Sequence, residues 1–154
     1  MIVVSDTSPI TSLVDVGQVE LLRALFGTVI VPREVSRELE RGHVGVPTWV
    51  EVREVNDRSM VSRLEAEVDL GEAEALVLAL ELKADRLLID EQQGRAIAER
   101  LGLRYIGVLG VLLEAKRRGH LSAVRPLLDE LVATAGFWIS EKLRREVLDA
   151  AGEQ

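Results

Sequence analysis

The chain has 154 residues, of which 47% are hydrophobic, a formal charge of −7 and no cysteine. That length and apolar content fit one domain with a real core and argue against disorder, and the lack of cysteine excludes disulfides and thiolate metal sites. The acidic balance speaks against a general polyanion binder. All but three of the 19 basic residues (Lys83, Lys116 and Lys142) are nevertheless Arg. A few forked guanidinium groups suffice to grip phosphate, although genome base composition explains the same bias. No run approaches the ~20 apolar residues that span a bilayer. Asp6 interrupts the N-terminal apolar run that a signal peptide would need. A single domain over residues 1–154, in the cytoplasm and away from membranes, is expected.

The first stretch, Met1–Ser12, sets the pattern. Ile2, Val3 and Val4 read as a strand buried on both faces, ending in Asp6 and the hydroxyls Ser5, Thr7 and Ser8. Pro9 suits the first turn of the helix that follows. Helical patterns cover Pro9–Val14 and Gln18–Phe26, stopped by Gly27. Thr28–Val31 is a β-branched strand, and Pro32 opens a helix through Arg41 with Val35 and Leu39 one turn apart on its buried face. His43–Pro47 is a loop, and Trp49–Val55 is an edge strand or extended segment. Arg58–Val68 reads as helical. Asp69-Leu-Gly-Glu-Ala-Glu leads into an apolar helix through Lys83, with Ala75, Leu76, Ala79 and Leu80 as its core stripe.

Arg86–Ile89 is the third strong strand and ends at Asp90-Glu91. Gln92–Leu101 is a helix, Leu103–Ile106 a strand, and Gly107–Arg118 a helix with Leu109, Leu112 and Leu113 inward. Ser122–Ala135 is helical, Phe137–Ile139 extended, and Ser140 caps a last helix holding Leu143, Val147 and Leu148. Strands alternating with helices predict a parallel α/β sheet with right-handed crossovers. In such sheets ligands bind at the carboxyl ends of the strands.

Two acids stand at that edge in equivalent places: Asp6 after Ile-Val-Val-Ser and Asp90 after Leu-Leu-Ile. Neighbouring carboxylates repel unless a cation sits between them, and hard oxygen ligands select Mg²⁺ or Mn²⁺. Either Asp can instead simply cap the next helix. Glu72 lies in a first turn, where it can project toward the same rim or only favour the helix dipole. Glu38 follows another strand; Glu34, Glu40, Glu74 and Glu91 lie close enough to stand in for a named acid. Thr7 and Ser8 sit at a helix start, where hydroxyls and amides receive phosphate or cap. Arg95 is a further candidate phosphate contact. The aromatics Trp49, Tyr105, Phe137 and Trp138 are scattered in sequence and read as core or interface residues rather than as stacking platforms.

Four motifs carry a family resemblance: Val3-Val-Ser-Asp-Thr-Ser-Pro, Val31-Pro-Arg-Glu-Val-Ser-Arg-Glu-Leu, Leu70-Gly-Glu-Ala-Glu-Ala-Leu and Leu88-Ile-Asp-Glu-Gln-Gln-Gly-Arg. In this order they resemble the successive motifs of PIN domains. Ile106-Gly-Val-Leu-Gly-Val-Leu is similar to a branch of uncharacterised prokaryotic PIN-like proteins. The resemblance covers essentially the whole chain. It implies a three-layer α/β sandwich with a central four- or five-stranded parallel sheet, and a Mg²⁺- or Mn²⁺-dependent endoribonuclease. It also implies a homodimer and, in the VapC-type branch, the toxin of a toxin–antitoxin pair with a small antitoxin protein as partner.

Position by position, Asp6, Glu38, Glu72 and Asp90 match the family's acidic quartet, with Glu72 where such toxins commonly carry Asp. The resulting expectation is hydrolysis of single-stranded or structured RNA. Asp6, Glu72 and Asp90 hold the metal, Glu38 orients water or holds a second ion, and Thr7, Ser8 and Arg95 contact substrate. A haloacid-dehalogenase-like phosphatase would want a second Asp where Ser8 stands, and a receiver domain would want paired acids and a later Lys. The remaining alternative is a non-catalytic RNA- or protein-binding module on the same fold.

Overall fold

The structure, a computed structural model, describes all residues from 1 to 154. Five short strands, β1 (Val3–Ser5), β2 (Val29–Pro32), β3 (Val50–Arg53), β4 (Arg86–Leu88) and β5 (Tyr105–Ile106), form one parallel sheet in the order β3-β2-β1-β4-β5. Nine helices join and cover them. α1 (Thr7–Asp15) and α2 (Glu20–Phe26) follow β1, and α3 (Arg33–Arg41) follows β2. α4 (Arg58–Leu64) and α5 (Leu70–Glu81) lead to β4, and α6 (Gln92–Arg100) joins β4 to β5. α7 (Val108–Arg117), α8 (Arg125–Thr134) and α9 (Glu141–Ala150) complete the chain. None of these helices is long and apolar enough to cross a membrane.

The strands alternate between two cores, as their period of two demands. Val3, Val29, Val31 and Leu88 pack on one face with residues of α1, α2, α3, α7, α8 and α9. Val4, Ile30, Leu87 and Ile89 pack on the other with α4, α5 and α6. The result is the expected three-layer α/β sandwich, with five parallel strands.

α5 is buried from Gly71 to Ala79, because it lies on β1, β2 and β4 and is flanked by α3, α4 and α6. Alanine and glycine let it approach so closely. Its last apolar residue, Leu80, was expected in the core stripe but is exposed, since the helix leaves the sheet there. Ile2 is likewise exposed: β1 begins one residue later, and Ile2 uses its N–H on Asp85 Oδ2. Pro32 ends β2 and takes the N-cap position of α3 rather than its first turn. α1 starts two residues earlier than Pro9 suggested, with the proline inside its first turn. α8 begins only at Arg125, with Pro126 in its first turn, and Phe137–Ile139 form no strand because no neighbour offers them a ladder.

The order β3-β2-β1-β4-β5 reverses direction at β1. From β1 the chain steps outward to β2 and β3, then returns across to β4 and β5. The crevice between the carboxyl ends of β1 and β4 is therefore the topological switch point, where α/β folds bind ligands. Asp6 follows β1, and Asp90 lies two residues beyond β4.

Candidate active site

At the switch point the Asp6 amide donates to Leu88 O at 2.9 Å, which ties the end of β1 to the end of β4. Asp6 occupies the N-cap position of α1, yet its carboxylate makes no capping hydrogen bond. It is 4% exposed. Burial pushes its carboxyl up to about 8; the Thr7 amide opposes the shift, and repulsion from Glu72, Asp69 and Glu38 adds to it. Helix capping therefore does not account for this side chain. It is a desolvated acid among acids.

Glu38 and Glu72 reach the same place from two other helices. α3 packs against both α1 and α5. The Thr7 hydroxyl donates to Glu38 Oε2 at 3.0 Å. On the other side, Gly71 leaves room for that carboxylate: a Cβ there would meet Glu38 Oε1 at 2.1 Å. Burial raises the Glu38 pKa, and the Thr7 hydrogen bond opposes the rise. The Asp69 carboxylate caps α5 by accepting the Glu72 amide at 2.9 Å, so the Glu72 side chain enters the crevice from a fixed first turn. Burial, then repulsion from Asp69, Glu91 and Glu38, pushes Glu72 up to about 7. Thr7 is thus engaged with Glu38 and positions it.

Asp90 is held differently. Its Oδ1 accepts the Val108 amide at 3.0 Å and Arg95 Nη2 at 3.3 Å, so it caps α7, one helix beyond α6, where local capping would act. Its Oδ2 is buried without a partner. Burial raises its pKa, while the Val108 amide and Arg95 oppose the rise. Gly107 is required here because a Cβ would stand 2.4 Å from Asp90 Oδ1. Arg95 also donates to Ile89 O and lies 5.7 Å from the centroid of the Tyr105 ring. Ser8 does not cap: its hydroxyl is buried and unpartnered.

The family model DUF3368, described as a PIN domain, matches residues 2–153. This chain belongs to the PIN-domain family. No curated protein and no solved structure matches it. PIN domains are generally nucleases, and the family generally uses divalent metal ions.

The donor set of this PIN domain fits such an ion. Asp6, Glu38, Glu72 and Asp90 offer hard oxygens only, and one of those oxygens, Asp90 Oδ2, is buried and unpaired. No three of the acids form a closed ligand set. Mg²⁺ does not require one, because it commonly takes one or two carboxylates and keeps several waters. Of the substitutes considered from sequence, Glu40 and Glu91 are exposed. Glu34 accepts Arg41 at 2.8 Å. Glu74 accepts Arg58 at 2.8 Å and the Glu34 amide at 2.9 Å.

Sequence reasoning missed Asp69 as a member of the cluster, although Asp69-x-x-Glu72 is a helix-start signature. The aromatics, read as core or interface residues, are scattered in sequence but not all in space. Tyr105, Phe137 and Trp138 come together around a hollow of about 750 Å³ that borders Asp90. Only Trp49 stands apart, with its Nε1 donating to Glu20 at 2.7 Å.

Proposed function

We propose that this PIN domain is a Mg²⁺- or Mn²⁺-dependent endoribonuclease that hydrolyses RNA phosphodiester bonds. The observation that carries the reading is the pair of buried carboxylates at the switch point, Asp6 and Glu72, which together with the half-buried Glu38 have no basic partner among the ion pairs of the chain. Such a set is costly in an apolar setting and is compensated by a cation. Asp6, Glu72 and Asp90 would hold the ion. When bound, it would supply a water of lowered pKa as nucleophile and charge stabilisation for the phosphate.

The chain's own residues divide the remaining work. Thr7 and Gly71 fix the Glu38 carboxylate between α1 and α5, where it accepts a proton from water on its free oxygen. Val108 and Arg95 orient Asp90. Arg95 is 39% exposed along its side chain, so part of its guanidinium remains free to meet a substrate phosphate. Ser8 offers an unpaired hydroxyl beside the same crevice.

The test is cleavage of single-stranded RNA in Mn²⁺. Wild type is expected to cut, EDTA to stop it, and folded Asp6→Asn and Asp90→Asn proteins to be inert. Equal cleavage by all three would assign the activity to a contaminant. A toxin role belongs to the same proposal, because unregulated RNA cleavage calls for an inhibitor. Expression is then expected to arrest growth, with relief by a small antitoxin protein; normal growth with an active enzyme would remove it. The homodimer is tested by light scattering of the purified chain.

A further inference from the structure

We propose that Trp138, supported by Phe137, is a stacking subsite for one nucleobase of single-stranded RNA, next to the acidic rim at Asp90. The inference rests on the ribonuclease reading and names where its substrate is gripped. A hollow of about 380 Å³ lies between the start of α1 and the α8–α9 connection. Ser8, Ser12, Asp90 and Glu91 line it on one side and Phe137 and Trp138 on the other. Trp138 is 82% exposed, the most exposed large apolar residue of the chain, and it lines the same hollow as Asp90 and Glu91.

The platform is rigid. α8 is anchored by buried Leu127, Leu128 and Leu131. Gly136 turns the chain with φ +67°, and the Phe137 amide closes back onto Leu131 O at 3.0 Å. This bond reaches one residue further back than the six-to-one bond of a Schellman motif and closes the end of α8. Three residues beyond Phe137, Ser140 caps α9 by accepting the Leu143 amide at 3.1 Å. The two aromatic residues are therefore held between two capped helix ends, and little freedom is lost when a ring settles on them.

The chemistry of the walls selects the occupant. Asp90 and Glu91 repel a phosphate from this hollow but not a neutral base. A base offers a π-face to the exposed indole and carries no charge for the Asp90 and Glu91 wall to repel. The phosphates stay outside, on the side of Asp90 where Arg95 lies over Tyr105. A duplex hides its base faces, so the ligand is single-stranded, and stacking of this kind tolerates any base.

Trp49 and Trp138 are the chain's two tryptophans, which makes the subsite directly observable. In an Asp6→Asn, Trp49→Phe protein without divalent ions, the emission comes from Trp138 alone. Titration with a single-stranded ten-nucleotide RNA is expected to quench it, and the matching duplex is expected to do much less. Trp138→Ala is expected to raise Kd about tenfold and Trp138→Phe by less than about threefold, with unchanged melting temperatures. Binding without quenching, with the Kd of Trp138→Ala equal to wild type, would overturn the subsite. So would an emission shift that follows protein concentration and ignores RNA, since the indole then faces another protein chain. Cleaving wild type with an equally active Trp138→Ala protein would sink the subsite and leave the nuclease reading intact. Quenching by RNA without any cleavage would do the reverse.

Discussion

Glu72 and Glu74 stand two residues apart on α5, both buried, in opposite electrostatic surroundings. Glu74 points to the side where α3 and α4 meet. There it accepts Arg58 and the Glu34 amide, and Glu34 in turn accepts Arg41. Every charge in that group has a partner, and its work is to hold three helices together. Glu72 points to the crevice between β1 and β4, where its neighbours are Asp6, Glu38, Asp69 and Glu91, and no Arg or Lys bonds to it. Burying a carboxylate is costly in both places. On the Glu74 side the chain supplies the compensation. On the Glu72 side it leaves that to something from outside. An acid that the fold leaves uncompensated marks function better than one that is merely buried.

The largest effect is expected from Asp6→Asn. RNA cleavage falls by about two to three orders of magnitude, while the metal-free protein is as stable as wild type or more so, because a desolvated acid has been removed. Loss of stability together with activity would mean that Asp6 is structural, like Glu74. Glu74→Ala should behave in the opposite way. It strands the Glu34 amide and Arg58, and chemical denaturation should show a loss of about 1–3 kcal/mol with cleavage nearly unchanged. A catalytic collapse in a stably folded Glu74→Ala protein would undo the contrast.

The same contrast has a pH signature. Asp6 titrates near 8 in the folded, ion-free chain and near 3.8 when unfolded. Between those values the folded state holds more protons than the unfolded one, so stability falls as pH rises from about 4 to 8. A shift of one pH unit in pKa corresponds to ~1.4 kcal/mol. Melting in EDTA is therefore expected to occur at lower temperature at pH 8 than at pH 5. Both Asp6→Asn and saturating Mg²⁺ should flatten that slope. A flat profile in ion-free wild type would show that the Asp6 charge is compensated after all.

The smallest effect is expected from Thr7→Val, which frees Glu38 from its hydroxyl donor. Cleavage should drop by roughly tenfold or less through looser positioning, and Thr7→Ser should restore it. Full activity in Thr7→Val with a loss in Thr7→Ser would argue that the Thr7 methyl, rather than its hydroxyl, matters.

Much of this was legible in the chain. The β-branched runs, the helix stops at Gly27 and Gly42, and the acids after the first and third strong strands outline the sheet and its functional edge. Periodicity placed Val35 and Leu39 inward, and both are fully buried. At the site, what the chain left open is partnership. Thr7 read as a phosphate contact, and its hydroxyl belongs to a residue 31 positions away. Asp90 read as a metal ligand or as a cap for the helix after it, and its Oδ1 caps α7 rather than α6 while its Oδ2 is left unpaired. Phe137 and Trp138 read as scattered aromatics, because nothing local says that the α8–α9 connection returns to the mouth of the crevice.

By itself, then, the sequence determined which segments become strands and helices, and which acids end the strands, because turn residues and apolar periods act over a few residues at a time. Only the tertiary structure decided which acids are left without a cation. Asp6 and Glu72 look no different in sequence from Glu34 and Glu74. What separates them is the arrival of Arg41 and Arg58 on one side of α5 and of no base on the other. A carboxylate's energy depends on the charges and solvent within a few ångströms, and those neighbours are assembled only by the fold.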